Sequence, residues 1–311
     1  MLTEEEFRLF RSLIYEESGI YLKETRKDFL ENRLIKRMNA TGMVSPYWYY
    51  KFVTEKNRKE LLILLDLLTV NETSFFRNRP QIDLFKKNIL SRLVIKKEHI
   101  GEKRLRVWSA GCSTGEEPYT IAMVIMETVP YHWYWDIKIY ASDLSLSVLE
   151  TANKGIYSAD KVNATVDDYY VERYFKTFSP PSHNSLPVLT LTTPMRGGDG
   201  GERKNGACYK VKEEVRKLVI FDFHNLKNEN GLQNLDVILC RNVMIYFDEE
   251  EQKRLIEKFY RNLNPGGYLL LGHAESLHGW NTGFEFVYNE KGTAYKKPDR
   301  CHSHQSGNPG E

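Results

Sequence analysis

Residues 104–119, RLRVWSAGCSTGEEPY, decide the fold, because an apolar run gives way there to a loop of small residues and then to the start of a helix. The loop at 111–115 allows the backbone to approach a ligand closely, and Pro118 suits a first helical turn. Glu116 and Glu117 would repel a phosphate here, whereas ribose hydroxyls or a cationic ligand fit beside them. An ordinary strand-to-helix turn remains an alternative on the loop alone, because the pattern is not GxGxxG.

A second stretch, KIYASDLS at residues 138–145, alternates apolar and polar residues and leads into Asp143. In doubly wound folds, an acidic residue at about this distance from the first loop holds ribose hydroxyls. A lone aspartate after a strand is more often a helix cap or a turn former. The spacing of the two stretches therefore favours a ligand contact at Asp143.

From residue 105 onward, apolar runs of strand length alternate with helical patterns. The predicted strands are 105–109, 137–142, 218–223, 235–240 and 268–272. The alternation predicts an α/β fold with a parallel sheet and helices on both faces. Ligands in such sheets bind beyond the carboxyl ends of the strands. The residues to consider for a site are therefore 109–115, 143, 224–226, 241–246 and 273–276.

The composition is that of an ordinary globular protein: 311 residues, 41% hydrophobic and 28% charged, long enough for two domains. A net charge of +2 argues against general attraction to nucleic acid or to a membrane. No basic and apolar leader stands at the N-terminus, and the longest apolar run, 61–70, contains Asp66, so we expect a cytoplasmic protein without membrane insertion. None of the four cysteines forms a CxxC pair, so neither disulfides nor a metal site are expected.

Residues 1 to about 90 carry helical patterns throughout. Thr3 and Glu6 have the spacing of a capping box ahead of the first pattern. A second amphipathic pattern at 29–38 has basic residues on its polar positions. A solvated helix face is the more common explanation of such charges, and an acidic partner is the alternative.

A long insertion, about 157–217, separates the second predicted strand from the third. It contains two β-like runs, 188–192 and 207–211, on either side of a glycine-rich loop. We interpret it as a small antiparallel subdomain. The last residues, 298–311, lack periodicity and are predicted to form a disordered tail.

Five motifs follow one another along the chain. They are TVNETSFFRN (69–78), WSAGCSTGEEPYTIAM (108–123), ASDLSLSVLETANKGIY (141–157), CRNVMIYFD (240–248) and LNPGGYLLLGHAES (263–276). Together they resemble the CheR-type chemotaxis receptor methyltransferases, over nearly the whole chain to about residue 297. The resemblance implies S-adenosylmethionine-dependent methyl esterification of glutamate side chains on the cytoplasmic helical bundle of chemoreceptors.

The resemblance also implies the domain organisation. An all-helical N-terminal domain (1–70) precedes a linker that contributes to the cofactor site (71–103). A methyltransferase domain with a Rossmann-like sheet follows (104–297), and the small antiparallel β-subdomain is inserted in it.

The resemblance further implies which residues form the site. The implied cofactor contacts are Asn71, Thr73, Arg77, Gly111, Glu117, Asp143, Asn225, Leu226, Arg241 and Asn242. Arg77 and Tyr246 match the pair nearest to the methyl group being transferred, and are the implied catalytic residues. The chemistry agrees, because Asp143 can hold ribose hydroxyls, Glu117 can meet the cationic end of the cofactor, and Asn225 can bind polar adenine edges. The structural alternatives are a domain clamp for Arg77 and an aromatic core position for Tyr246.

A substrate glutamate, with an ordinary pKa of about 4.3, is already ionised at neutral pH, so the expected enzyme mainly aligns the reactants. Receptor methylation regions are acidic helices, and a basic helix can steer them toward the cleft. The basic residues concerned are Arg26, Lys27, Arg33, Lys36 and Arg37. In some family members the β-subdomain adds a receptor tail as a strand, but the glycine-rich loop at 192–206 departs from that pattern and argues against tail docking.

Three alternatives predict different sequences. A methyltransferase of another class would replace the 69–77 motif and the helical domain. A non-catalytic module that senses the cofactor or binds receptors predicts loss of Arg77, Asp143 or Tyr246, and all three are present. An NAD-dependent oxidoreductase requires GxGxxG, which residues 111–115 do not supply.

Overall fold

The first four helices pack around a core of their own. They are α1 (Glu4–Ser18), α2 (Lys27–Thr41), α3 (Pro46–Lys51) and α4 (Arg58–Leu68), with a π-helical turn at Phe52–Lys56. The capping box at the start of α1 is present: Glu6 N donates to Thr3 Oγ1 at 3.2 Å, and Thr3 N donates to the Glu6 carboxylate at 2.9 Å. Phe10, Leu34 and Leu64 are among the buried side chains that hold these helices together.

This arrangement comes from a computed structural model that describes residues 2–69, 71–179, 207–289 and 292–299. Among these residues, no helix is long and apolar enough to cross a membrane. The same ranges contain no group of three or more His, Cys, Asp or Glu side chains placed to hold a metal ion.

Residues 71–103, which the sequence suggested as a linker, are helical over most of their length. The helices are α5 (Arg79–Leu84), a π-helical turn (Phe85–Leu90) and α6 (Ser91–His99). Their apolar side chains pack into the core on one face of the sheet. The Gln81 amide also donates to the carbonyls of Leu271 and Thr293, at 2.8 and 2.9 Å. The non-helical connection between the helical domain and the sheet domain is therefore limited to residues 71–78.

The rest of the described chain alternates strands and helices. The strands are β1 (Arg104–Ala110), β2 (Asp136–Asp143), β3 (Ile156–Ser158), β4 (Phe175–Phe178), β5 (Cys208–Val211), β6 (Val219–Phe223), β7 (Leu235–Cys240), β8 (Leu263–Leu271), β9 (Glu285–Asn289) and β10 (Gly292–Lys296). The helices are α7 (Glu116–Thr128), α8 (Leu146–Lys154), α9 (Ala159–Asn163), α10 (Asp168–Tyr174), α11 (Glu213–Arg216) and α12 (Glu249–Asn262).

The large sheet has the strand order β6-β2-β1-β7-β8-β10-β9. The five strands from β6 to β8 are parallel, as predicted, whereas β10 runs antiparallel to both β8 and β9. The β9–β10 hairpin is an addition that the sequence patterns did not predict. Because the strand order reverses between β1 and β7, their carboxyl ends form a switch point where such sheets bind ligands.

Successive side chains of a strand point to opposite faces of the sheet, and both faces are covered. On β1, Val107 packs into the core that includes α7, and Trp108 packs into the core that includes α12. The Trp108 ring meets Phe259 of α12 edge-on, with centroids 5.4 Å apart. Helices therefore lie on both faces, as the alternation predicted.

The insertion contains the expected small antiparallel sheet, in the order β3-β5-β4. The predicted run at 207–211 is β5, whereas the run at 188–192 and the glycine-rich loop lie outside the described residues. Of the tail predicted to be disordered, Asp299 is described, and it forms ion pairs with Lys96 at 2.5 Å and Lys296 at 2.7 Å. Residues 300–311 lie outside the described ranges.

Candidate functional site

A cavity of about 960 Å³, part of it open to solvent, lies at the carboxyl ends of β1, β2, β6 and β7. Clefts with a few polar groups at the switch point of such a sheet are typical small-molecule sites, so this cavity is the candidate cofactor site. Every residue predicted from the sequence as catalytic or as a cofactor contact borders it. They are Asn71, Thr73, Arg77, Gly111, Glu117, Asp143, Asn225, Leu226, Arg241, Asn242 and Tyr246.

Asp143 ends β2 with a buried carboxylate at the cavity wall. Its oxygens accept hydrogen bonds from Ser113 N at 2.8 Å and from Ser145 N at 3.0 Å. Burial raises the pKa of this carboxyl group, and the backbone donors oppose that shift. An ionised carboxylate has about four acceptor positions, so Asp143 can accept a ribose hydroxyl in addition to its backbone donors.

Glu117 and Arg241 form a largely buried ion pair in the wall. Nη1 of Arg241 lies 3.1 Å from Oε2 of Glu117, and Ser109 Oγ donates to Oε1 at 2.7 Å. Nη2 of Arg241 donates to the Arg77 carbonyl at 2.6 Å, while its buried Nε has no partner among the described residues. Arg241 thus partly balances the charge of Glu117, a pairing that the sequence did not reveal.

Gly111, which borders the cavity, is also required by protein packing. It has a φ of +81°, and a Cβ atom there would lie 2.4 Å from Cγ2 of Val243. At Gly115, with a φ of +94°, a Cβ atom would lie 2.8 Å from the Cβ of Ala152. Both positions combine a left-handed backbone with a close neighbour, which only glycine tolerates without strain. The first loop is therefore shaped by its contacts with the loop after β7 and with α8.

Arg77 and Tyr246 border the cavity from the 71–78 connection and from the loop after β7. Within the described chain, the Arg77 guanidinium makes one hydrogen bond, from Nη1 to the Glu72 carbonyl at 2.7 Å, so its other donors are available to a ligand. Burial raises the pKa of Tyr246, and the charges of Arg77 and Arg26 oppose that shift. Tyr246 is therefore a protonated donor at neutral pH.

The loop after β6 brings His224, Asn225 and Leu226 to the cavity. One donor and one acceptor of the Asn225 amide, which is expected to bind adenine, are used within the protein. Its Nδ2 donates to the Glu17 carbonyl at 2.7 Å, and its Oδ1 accepts from Lys227 N at 3.0 Å. His224 borders the cavity with its Nε2 unpartnered among the described residues, and burial lowers the pKa of its imidazole.

Glu275 lies in the range 273–276 that the sequence singled out for a site, although it was not among the predicted cofactor contacts, and it holds the loop after β7 in place. Its buried carboxylate accepts hydrogen bonds from the backbone N–H groups of Gly272 at 2.7 Å, Asn242 at 2.8 Å and Ile245 at 3.3 Å. Asn242 has a φ of +61°, which a non-glycine residue adopts only with support from its surroundings. Its position shortly after the buried strand β8 is the signal that placed it in that range.

Ser18 and Ile20, at the end of α1, also border the cavity. No sequence pattern connects them to the motifs, because they come from the helical domain and carry no unusual chemistry. The N-terminal helices therefore contribute directly to the cavity wall.

Two of the five basic residues proposed for partner binding are engaged in the fold. Nε and Nη2 of Arg37 contact the buried carboxylate of Glu60 at 2.8 and 2.9 Å. Lys27 lies 2.5 Å from Glu4 on α1. Arg37 thus stabilises the helical domain, and its charge is not free to attract a partner.

The other three basic residues form what we call the basic surface: Arg26, Arg33 and Lys36. Arg26 and Lys36 are exposed. Arg33 is partly exposed, and its guanidinium lies over the Phe29 ring, 4.2 Å from the centroid. The charge of Arg26 lowers the pKa of Tyr246, so Arg26 is the member of this surface that lies near the cavity.

The chemistry of the wall fits S-adenosylmethionine. Asp143 supplies an acceptor for ribose hydroxyls, and the unpartnered Nε of Arg241 supplies a donor for a carboxylate. Glu117 places a carboxylate beside the guanidinium of Arg241. The wall therefore offers a negative group for the ammonium of the cofactor's amino-acid end and a positive group for its carboxylate.

Two family models match the chain. "CheR methyltransferase, all-alpha domain" matches residues 5–69, and "CheR methyltransferase, SAM binding domain" matches 71–186 and 201–293. Chemotaxis protein methyltransferase 2 of Vibrio cholerae is 32% identical over 312 residues, which cover 99% of this chain and 98% of that protein. The chemotaxis protein methyltransferase of Escherichia coli K12 is 33% identical over 283 residues, which cover 89% of this chain and 86% of that protein.

The solved structures that resemble this chain share less sequence identity with it than these relatives do. Magnesium protoporphyrin IX methyltransferase from Synechocystis PCC 6803, with bound S-adenosylmethionine, has 12% identity and a TM-score of 0.31, covering 79% of this chain and 91% of that one. By the two family models and the relatives that align over nearly its whole length, the chain belongs to the CheR methyltransferase family, whose cofactor is S-adenosylmethionine.

Proposed function

We propose that this chain methylates glutamate side chains on the cytoplasmic domain of chemoreceptors, giving glutamate methyl esters and S-adenosylhomocysteine. The observation that carries the proposal is the convergence of Arg77, Tyr246 and Asp143 on one cavity. The names of the relatives, chemotaxis protein methyltransferases, support the substrate class. Nothing in the geometry or in those names favours a non-catalytic module of the same fold.

S-adenosylmethionine, when bound, supplies a methyl group on a positively charged sulfur. Asp143 accepts hydrogen bonds from the ribose hydroxyls, and the Glu117–Arg241 pair binds the amino-acid end. The remaining predicted contacts shape the rest of the cavity wall: Asn71, Thr73, Gly111, Asn225, Leu226 and Asn242.

The residues nearest to the reaction act by orientation rather than by proton transfer. A glutamate side chain with an ordinary pKa of about 4.3 reaches the site already ionised. The available donors of Arg77 bind its carboxylate, and the Tyr246 hydroxyl orients the reacting groups. Positioning of this kind can lower a barrier by several kcal/mol, up to roughly ten.

The basic surface explains how an acidic receptor helix reaches the cavity. Arg26 and Lys36 are exposed, and Arg26 is near enough to Tyr246 to influence its ionisation. Positive charge beside a cleft raises the rate of encounter with an acidic partner, and added salt weakens that attraction. Arg37 is left out of this role because Glu60 already binds it.

The ester can be identified by its chemistry. The protein is incubated with methyl-labelled S-adenosylmethionine and a cytoplasmic receptor fragment, and the product is then treated with base. A glutamate methyl ester releases labelled methanol, whereas methyl groups on nitrogen stay bound. Label that resists base would overturn the proposed esterification. A receptor fragment with its methyl-accepting glutamates changed to alanine is the control and should take up no label.

The basic surface is tested by reversing charge at Arg26 and Lys36 together. We expect the KM for the receptor fragment to rise about tenfold and its salt dependence to weaken, with unchanged affinity for S-adenosylhomocysteine. Arg92, an exposed residue of α6 that forms no ion pair within the described chain, provides the matched control as Arg92→Glu. An unchanged KM and salt profile in the double variant would rule out this docking surface.

A further inference from the structure

The C-terminal end of α1 is attached to the loop after β6 through three consecutive carbonyl groups. Lys227 Nζ donates to the carbonyls of Tyr15 and Glu16 at 3.1 and 3.0 Å. Asn225 Nδ2 donates to the next carbonyl, that of Glu17, at 2.7 Å. A helix end leaves its last carbonyls without partners inside the helix, and their partial negative charge favours a cation. The last turn of α1 has no basic residue of its own, so Lys227 supplies that cation from the other domain.

The turn that follows α1 touches the second loop of the cavity. Tyr21 N donates to the Tyr246 carbonyl at 2.8 Å. At Gly19, with a φ of +77°, a Cβ atom would lie 3.2 Å from the Phe247 ring. Ser18 and Ile20, on either side of this glycine, border the cavity itself. The end of α1 is thus in contact with two of the loops that carry proposed site residues, those after β6 and after β7.

The loop after β6 is held on a further side by a buried lysine of α12. Lys258 Nζ donates to the Leu226 carbonyl and, at 2.8 Å, to the Asn228 carbonyl. Burial lowers the pKa of this lysine, and the two carbonyls compensate part of the cost of its charge. The loop therefore has a fixed attachment to the sheet domain and a separate, more exposed attachment to α1.

We propose that the end of α1 is the closing wall of the cofactor cavity, and that Lys227 is the positioning residue that couples cofactor binding to docking of the helical domain. The inference rests on the proposed placement of S-adenosylmethionine in this cavity. A ligand held between the loop after β6 and the end of α1 favours the conformation in which the two are joined. By reciprocity, the helical domain binds the sheet domain more tightly when the ligand is present.

The test combines calorimetry with hydrogen exchange on the full chain, using S-adenosylhomocysteine as the probe. In the wild type, the ligand should slow amide exchange in residues 15–22. Lys227→Met keeps the apolar stem and removes the ammonium group. We expect it to raise the Kd about tenfold, or about 1.4 kcal/mol, and to abolish the ligand-dependent protection of 15–22. Lys227→Arg keeps a cation and should restore both values to within about threefold.

The matched control is Lys59→Met, at an exposed lysine of α4 that makes no ion pair within the described residues. A merely structural lysine would change the unfolding free energy without changing ligand-dependent protection at α1. The inference would be overturned if the ligand did not change amide exchange at 15–22 in the wild type. It would also be overturned if Lys227→Met kept the wild-type affinity and the wild-type protection. If the wild type did not bind S-adenosylhomocysteine at all, the proposed placement of the cofactor would be wrong. This result differs from a wild type that binds the ligand without protecting 15–22, so a failure of the proposed function and a failure of this inference are distinguishable.

Discussion

At the scale of single residues, Asp143 has the clearest consequence. Its carboxylate is buried, and burial raises its pKa above the ordinary value of 3.8. Only the ionised form accepts hydrogen bonds with both oxygens. We therefore expect the affinity for S-adenosylhomocysteine to fall on acidification as the pH passes down through this raised pKa. Isothermal titration over a pH series measures the effect.

Asp143→Asn is expected to weaken binding about tenfold at neutral pH and to remove that acidic step, because the amide does not ionise. Asp160→Asn, at an exposed position in α9, is the control and should leave both affinity and pH profile unchanged. If the Asp143→Asn variant kept the wild-type pH profile, the step would belong to another group.

A variant of Tyr246 tests catalysis separately from cofactor binding. Its hydroxyl makes no hydrogen bond to another described residue, and its pKa is raised, so Tyr246→Phe removes a free donor with little change in packing. We expect kcat for receptor methylation to fall at least tenfold, or about 1.4 kcal/mol, with cofactor affinity changed less than threefold. Tyr288→Phe, at an exposed position in β9, is the control. Unchanged turnover would reduce Tyr246 to an aromatic wall residue.

At the scale of elements, the five parallel strands were predictable and the antiparallel β9–β10 pair was not. The continuous apolar run of β7 and the alternation in β2 match the structure to within a residue or two, because helices cover both faces. β3 and β4 are too short to show a period. β9 and β10 carry β-favouring residues but follow the last recognised motif.

Within the site, residues at strand ends were predictable and long-range side-chain pairings were not. Residues at strand ends, such as Asp143, were predictable because a parallel sheet collects them at one edge. The contact of Asn225 with Glu17 joins residues 208 positions apart, and the pairing of Arg241 with Glu117 joins two motifs. No local pattern encodes such pairings, because each partner's residue type is equally suited to solvent.

The loop after β7 depends on Glu275, which gives a prediction at the element scale. Glu275→Ala leaves three backbone N–H groups without their acceptor, at a cost of about 1–3 kcal/mol for each that stays buried. We expect the free energy of unfolding, measured in urea, to fall by about 3 kcal/mol. Glu257→Ala, on the exposed side of α12, should change it by less than about 0.5 kcal/mol. Equal effects in the two variants would contradict this role.

At the scale of the whole molecule, the helical domain is bound to the sheet domain at several places. Asp66 of α4 accepts hydrogen bonds from Ser145 and, at 3.1 Å, from Ser147 at the start of α8. Leu144 packs against the core of the helices. We therefore expect one cooperative unfolding transition, with the helical and sheet parts lost together.

S-adenosylhomocysteine at 100 times its Kd should stabilise that transition by about 2.7 kcal/mol, because it binds the folded state alone. Denaturant unfolding followed by hydrogen exchange in both domains measures it. A helical domain that unfolds first, at a denaturant concentration the ligand does not change, would show that the two domains are uncoupled.

The small sheet of the insertion has a practical consequence for engineering. Phe178 and Cys208 are cross-strand partners, so the two ends of the 179–207 segment are held side by side by β4 and β5. For a flexible insert between ends that are fixed in this way, each doubling of its length costs only about 0.6 kcal/mol of closure entropy. Neither Phe178 nor Cys208 borders the cofactor cavity, so an epitope or a fluorescent reporter grafted between them would be attached outside that cavity.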